Sequence, residues 1–482
     1  MRAEDNGLLA AGASLRGVFF DRLGFRPQDA GVRYFDHNAS SPLCAAARQA
    51  WLEAEERFPG NPSSLHRVGS RAGVALEGAR EEIAGLLGCS AGDLIFCSGA
   101  TEANNSVVSH FARVSSGEAW ISAVEHPSVL EAVQDSFAGR YRCIPVDRGG
   151  RVDVGWVEDR LRKGQPAFVG VMAVNNETGV VQPWREVQAV CEASGVAFFC
   201  DAVQALGKDP SVSGGLPDYM VGCAHKFGGP KGVGFLKAGR GFRGMSRGGG
   251  QEEGRRAGTE NVSGVLAMAA ALRDRMGRVR GAGFVHERVC WRNGFEARLM
   301  AALPGVRVVG AGWGNHLGGE GLDGVESGVG FGVTGVGEGG GVLAGIEGAE
   351  DLAGGTGCRE FGAGAGAGTV AVGSERSGYG GFAGPKGVEA SRVWNTSLVI
   401  LPEVDCRQRW VVKLDRLGVA VSTGSACATG KEQVSHVLTS MGFAEREASR
   451  AVRVSSGWEH EAQDWKDLAD VFLVAARQLG VL

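Results

Sequence analysis

Near the C-terminal end, Ser422 to Gly430 read STGSACATG. A cysteine, Cys427, stands there among glycine and small hydroxyl residues, and the nearest large apolar side chain upstream is Val421. Two readings fit such a thiol: a small hydrophobe in a turn, or a nucleophile carried on a loop. Three other stretches place polar groups directly after apolar runs. In LIFCSGATEANN the turn is Gly99, Ala100 and Thr101, with Thr101 placed to cap, and free backbone N–H groups there suit a phosphate. In VAFFCDAVQALGKDP, Asp201 and Gln204 follow the apolar run. An aspartate there either caps the next turn or pairs with a cationic ring nitrogen. In YMVGCAHKFGGPKG, His225 and Lys226 precede a Gly-Gly-Pro turn. That lysine is either solvated surface or, if desolvated beside a phosphate turn, a Schiff-base former.

These side chains need a scaffold that brings strand ends together. From about residue 43 to 280, short apolar runs alternate with helix-length segments such as AGVALEGAREEIAGLLG and WREVQAVCEASG. The runs DLIFCSG, AWISAV, RCIPV, AFVGVMAV, VAFFCDA, YMVGCA and GVGFLKA each read as a strand bounded by Gly, Pro or Asp. Strands alternating with helices predict an α/β fold with a mostly parallel sheet. Ligands bind at the carboxyl ends of such strands, where the turn, the acid and the lysine fall.

Composition narrows the classes. The chain has 482 residues, 44% hydrophobic and 22% charged, with a net charge of −4. A large core is available, and no electrostatic footprint for nucleic acid or an anionic membrane appears. No apolar run approaches a membrane span, and acids directly after Arg2 do not match a signal peptide, so a cytoplasmic location is expected. The 11 cysteines are scattered with no CxxC pair, which gives no support to a zinc site or a disulfide framework. Glycine occurs 80 times, and 29 of these fall in residues 311–390, which read as a low-complexity insertion forming a flexible surface loop.

A phosphate turn, an acid and a lysine in that order resemble the pyridoxal 5′-phosphate site of fold-type I enzymes. With GNPSSLHRVG, SGATEANN, AVEHPSVL, VNNETGVVQPW, DAVQALGK, HKFGGPKG, GGGQEEGRRAGTEN, STGSACATG and VRVSSG in sequence, the chain resembles the class V aminotransferases. Within them it is similar to the group I cysteine desulfurases. The likeness runs from RYFDHNASSPL to about residue 480, outside the insertion. It implies a large cofactor domain over 43–280 with a seven-stranded sheet. A smaller α+β domain would comprise 33–42 and 281–482, with an N-terminal extension at 1–32.

The resemblance also implies roles. Lys226 would carry the cofactor as a Schiff base, Asp201 would pair with its ring nitrogen, and Gln204 and Asn176 would bond its phenolic oxygen. His126 would stack on the ring and serve catalysis. Ala100, Thr101 and His225 would hold the phosphate, with Thr259 reaching in from the second subunit of a homodimer. Arg453 and Asn61 would bind the substrate carboxylate. Cys427 would be the nucleophile that takes sulfur from L-cysteine, leaving L-alanine and an enzyme persulfide. An acceptor protein, an iron–sulfur scaffold or a sulfurtransferase, would receive that sulfur. Without the family, His126 reads as a turn residue, Asn176 as a cap and Arg453 as a surface ion pair. One departure stands out: Cys223 and Ala224 replace the Ser-Gly that usually precedes His-Lys, and a thiol is a poor donor to phosphate. The rival functions are a selenocysteine lyase, another class V lyase or aminotransferase, or a catalytically silent scaffold.

Overall fold

The computed structural model describes residues 32–311, 392–404, 407–424 and 434–482. The strands are β1 (Arg33–Tyr34), β2 (Leu94–Cys97), β3 (Ala119–Ser122), β4 (Tyr141–Ile144), β5 (Phe168–Gly170), β6 (Phe198–Asp201), β7 (Tyr219–Cys223), β8 (Gly234–Lys237), β9 (Arg307–Val308), β10 (Thr396–Ile400), β11 (Val419–Ala420) and β12 (Ala451–Ser455). The seven apolar runs become β2 to β8, and these make one sheet in the order β2-β8-β7-β6-β5-β3-β4. Only β8 runs against its neighbours; the other contacts are parallel. The carboxyl ends of β2, β3, β5, β6 and β7 therefore share one edge.

Side chains alternate across this sheet with the two-residue period of a strand. Phe96, Trp120, Phe198, Cys200, Met220 and Phe235 face one core, together with residues of helices α1 (Ala45–Arg57), α2 (Arg67–Leu87), α5 (Val154–Leu161), α6 (Trp184–Ser194) and α7 (Val262–Arg280). Ile95, Ile121, Phe199, Val221 and Leu236 face the other, closed by α3 (Ala100–Val114) and α4 (Pro127–Phe137). A sheet buried on both faces explains why these runs are apolar throughout rather than alternating.

The C-terminal part builds a three-stranded antiparallel sheet, β12-β10-β9. Helices α8 (Phe284–Ala302), α9 (Arg407–Arg416) and α11 (Ala462–Gln478) share a core with β10 and β12, in which Phe295, Leu414, Trp465 and Phe472 are buried. The short helix α10 (His436–Ser440) lies on the other side, with Val437 and Leu438 against Leu398 and Ile400. The strand β1 pairs with β11, and the next residues reach β12 through the Asp36–Ser455 bridge. No helix among the described residues is long and apolar enough to cross a membrane. Residues 1–31 and 312–391, which include almost all of the predicted extension and insertion, lie outside the described residues, as does Cys427.

Candidate active site

The shared strand edge opens into a cavity of about 610 Å³. Lys226 ends a single 3₁₀ turn, Ala224–Lys226, that follows β7. Its Nζ donates to the backbone oxygens of Asn38 at 2.7 Å and Ala39 at 2.9 Å. Asp201 is the last residue of β6 and is buried. Its Oδ1 accepts the Val203 N–H at 3.0 Å, and its Oδ2 accepts Asn104 Nδ2 at 2.9 Å. The carboxylate thus caps its own turn and also lines the cavity.

Helix α3 begins at the cavity. Its boundary residue is Gly99, which supplies no side-chain cap, so Thr101 is not the cap that the sequence predicts. Ala100 is already the first helical residue and Thr101 the second, two positions past the cap and too late for its hydroxyl to cap the start. The first turn of the helix lines the cavity, and a helix N-terminus suits an anion, although the Ala100 N–H also meets the Cys223 sulfur. Gly234 of β8 lets the turn sit close: a Cβ there would stand 2.8 Å from the Gly99 Cα. Glu102 braces the turn from below, accepting the Ser98 N–H at 2.8 Å and pairing with Arg256 Nε at 2.9 Å. Burial opposes its ionisation, yet Arg256 and Ser98 outweigh that and hold its carboxyl below the ordinary range.

His225 lines the cavity with its Nδ1 3.2 Å from Ser40 Oγ. Burial, then the neighbouring Lys226, pushes its pKa down to about 4, so the ring is neutral at pH 7. Cys223 lines the cavity and is buried. Burial raises its pKa to about 11, with Lys226 pulling the other way. It is a thiol at neutral pH, not a thiolate. His126 caps α4, its Nδ1 accepting the Ser128 N–H at 3.1 Å, so the turn role and the cavity position coincide. With Nδ1 accepting, a neutral ring carries its proton on Nε2. Burial lowers its pKa, Asp201 opposes that, and Lys226 and His436 add to it.

The opposite wall comes from the C-terminal sheet. Arg453 of β12 is 2% exposed, which removes the surface ion-pair reading. Its guanidinium donates to Asp36 Oδ1 at 2.8 Å and to the Asn176 oxygen at 3.0 Å, and it lines the cavity. In the NNETG turn the capping side chain is that of Asn175, which accepts the Glu177 and Thr178 N–H groups. Asn176 is left to face the cavity with Gln204. Ser422 is bonded to Arg453 through the backbone, and Gly424 lines the cavity three positions before Cys427.

Two predicted residues are not brought in. Asn61 is exposed and does not line the cavity, because its Oδ1 is turned back onto the Ser63 N–H at 2.9 Å. Thr259 is exposed and does not line this chain's own cavity. Several residues at the cavity or just behind it escape sequence reasoning: Asn38, Asn104, Glu125 and Lys208. Asn104 carries a signal, since it lies one helical turn after Ala100 and so on the same face of α3. Asn38 carries none, because its partners are distant in sequence.

The Aminotransferase class-V profile matches residues 33–275, half of the chain and all seven strands of the large sheet. The chain belongs to the aminotransferase class-V family. Among class V relatives, a cysteine desulfurase of Klebsiella pneumoniae is 40% identical over 287 residues, covering 58% of this chain and 70% of its own length. A cysteine desulfurase of Cereibacter sphaeroides is 31% identical over 440 residues, covering 89% of this chain and 92% of its own length. A solved NifS-like protein from Rickettsia africae superposes with a TM-score of 0.67 at 23% identity, covering 94% of this chain and 100% of its own. That likeness extends the class V fold beyond the profile match to the C-terminal sheet.

Proposed function

We propose that this chain is a pyridoxal-phosphate-dependent cysteine desulfurase. The observation that carries the reading is the meeting, in one cavity, of the Lys226 amine, the buried Asp201 carboxylate and the N-terminus of α3. The donor set fits that cofactor: an amine for its aldehyde, a carboxylate for its ring nitrogen and a helix N-terminus for its phosphate. Ala100, Thr101 and His225 are suited to the phosphate, Cys223 gives only a weak donor, and Thr259 would come from a second subunit of a homodimer. Bound there, pyridoxal phosphate supplies the electron sink that lets a Cα–H bond of the substrate break.

Lys226 Nζ would hold the cofactor and would serve as the base at the substrate Cα. Asp201 keeps the ring-side proton in place, and Asn104 Nδ2 holds Asp201 to that orientation. Gln204 and Asn176 meet the phenolic side. Arg453 orients the carboxylate of L-cysteine; its Nε is buried without a partner among the described residues, while its other nitrogens are fixed by Asp36 and Asn176. His126, held neutral by burial, exchanges the proton of the substrate thiol through Nε2. Cys427, as thiolate, would attack that sulfur: the S–S bond forms as the substrate Cβ–S bond breaks, the bonding pair stays with the carbon skeleton, which takes up a proton, and the products are L-alanine and a persulfide on Cys427. A protein acceptor then takes the sulfur, either an iron–sulfur scaffold or a sulfurtransferase. The domain division follows the chemistry: residues 43–280 carry the cofactor, while 33–42 and 281–482 carry the substrate clamp and the nucleophile.

The test compares wild type, Lys226→Ala and Cys427→Ser. Wild type is yellow and makes L-alanine and sulfide from L-cysteine with a reductant. Lys226→Ala lacks the visible band of the lysine-bound cofactor. Cys427→Ser keeps the band, responds to L-cysteine in the spectrum, and loses about three decades or more of sulfide release. Sulfide release by Cys427→Ser within about tenfold of wild type would overturn the reading in favour of a lyase that expels sulfur unaided.

A further inference from the structure

Behind the cavity wall lies a lysine that this reaction does not use. Lys208 sits four residues after Gln204, in the turn that follows β6, and is 1% exposed. Two indole N–H groups pin that turn from the outside: Trp394 Nε1 donates to the Lys208 oxygen at 3.0 Å, and Trp458 Nε1 to the Gly207 oxygen at 2.7 Å. The side chain runs inward. Its Nζ donates to Gln204 Oε1 at 2.5 Å and to Asn38 Oδ1 at 3.0 Å. No carboxylate pairs with it among the described residues. We propose that Lys208 is a positioning residue. It fixes the carboxamides of Gln204 and Asn38, and through them holds the Lys226 amine and the cavity-facing N–H of Gln204 where the cofactor needs them.

The hydrogen bonds have one consistent direction. Gln204 Oε1 accepts from Lys208, so Gln204 Nε2 must be the donor, and it meets the Asn38 oxygen at 3.0 Å. A flipped carboxamide would set oxygen against oxygen at Asn38 and N–H against N–H at Lys208. The second N–H of Gln204 is thereby assigned to the cavity. Asn38 is fixed by the same logic. Its Oδ1 takes Lys208 and Asn395, so its Nδ2 points at Thr396 Oγ1 and the Asn176 oxygen. Its backbone oxygen is left to accept Lys226 Nζ.

An apolar residue would fill this space without the cost of burying an amine. The ionisable groups that act on Lys208 are Lys226, Arg453 and Cys223, and its own field reaches His37 and His225. Burial first, then Lys226 and Arg453, holds its pKa well below the ordinary lysine range.

The inference rests on the proposed cofactor, and its test separates the two. Wild type, Lys208→Met, Lys208→Gln and Trp394→Phe are loaded with pyridoxal phosphate. The cofactor dissociation constant and the pH midpoint of the visible band are then measured. A donor on the phenolic oxygen competes with the Schiff-base proton for that oxygen, so losing the donor raises the midpoint. Lys208→Met is expected to raise it and to weaken cofactor binding about tenfold. Lys208→Gln is polar and one bond shorter, so it reaches only one acceptor. It moves both readouts the same way by less, and it decides the matter if Lys208→Met does not fold. Trp394→Phe lowers the thermal midpoint without moving the band, which separates positioning from support of the turn. On a Gln204→Leu background, Lys208→Met adds less than about twofold. A folded Lys208 variant with both readouts within about twofold of wild type overturns the inference. A wild type that takes up no cofactor at all overturns the proposed function instead.

Discussion

Glu125 is 1% exposed and stands next to His126, where its Oε1 accepts the Met172 N–H at 2.7 Å. Its Oε2 has no hydrogen-bond partner within 3.5 Å among the described residues. Burial, with the negative field of Asp201 added, pushes its pKa from 4.5 to about 8. A carboxyl raised in the fold binds its proton more readily there than in the unfolded chain. Its contribution to stability is therefore fully present below pH 4.5 and declines as pH rises toward 8, by about 1.4 kcal/mol per unit at most. Glu125→Gln keeps the acceptor for Met172 and removes the titration. The variant is expected to unfold at a higher temperature than wild type at pH 8, with the difference shrinking toward pH 5. Scanning calorimetry of the cofactor-free proteins at the two pH values checks it, and a difference that grows toward pH 5 would sink the assignment. Nothing in the sequence marks Glu125 as buried, since an acid before a histidine is ordinarily solvated.

Elements carry the site by close approach. Gly234 lies between Cys97 and Cys223 in the sheet register, and a Cβ there would meet the Gly222 oxygen and the Gly99 Cα, both at 2.8 Å. Gly234→Ala should push the β2–α3 turn outward, lower the thermal midpoint by the equivalent of about 1–3 kcal/mol and weaken cofactor binding. A calorimetric scan with a pyridoxal phosphate titration reads both, and unchanged affinity would mean that the turn does not hold the phosphate. The seven strands were legible because each is a short apolar run closed by Gly, Pro or Asp, and a doubly covered sheet needs that pattern. Lys226, Asp201 and the β2–α3 turn were legible because they sit at the ends of those runs. Asn38 was not, because it lies in no periodic element and draws its meaning from Asn395, Thr396 and Ser455, more than 350 positions away. Thr101 was misread as a cap because the sequence does not show that the helix already starts at Ala100, with its boundary at Gly99, two positions before Thr101. Asn61 lies away from this chain's own cavity, its side chain closing a local turn that the motif alone does not reveal.

For the molecule as a whole, the Gly-rich stretch enters and leaves at one spot. The strands β9 and β10 are antiparallel partners, and a Cβ at Gly310 would lie 3.1 Å from the Arg392 side chain. Arg392 is locked in turn by Glu296, at 2.7 Å from each carboxylate oxygen. A short linker can therefore join the two ends. Replacing residues 318–388 by a few Gly and Ser is expected to leave solubility, cofactor binding and thermal midpoint unchanged, since loop length weighs little on stability. An insoluble or colourless product would show that the segment packs. The hub at Asn38 has a different consequence, one of timing. A ribosome releases the N-terminal residues first, but Asn38 is bonded to Ser455 on the last strand of the chain. A nascent chain that has made the whole seven-stranded sheet still lacks the clamp that aims Lys226. A chain cut short before Ser455 therefore lacks one of the bonds that hold the Lys226 acceptor in place, whatever else has folded.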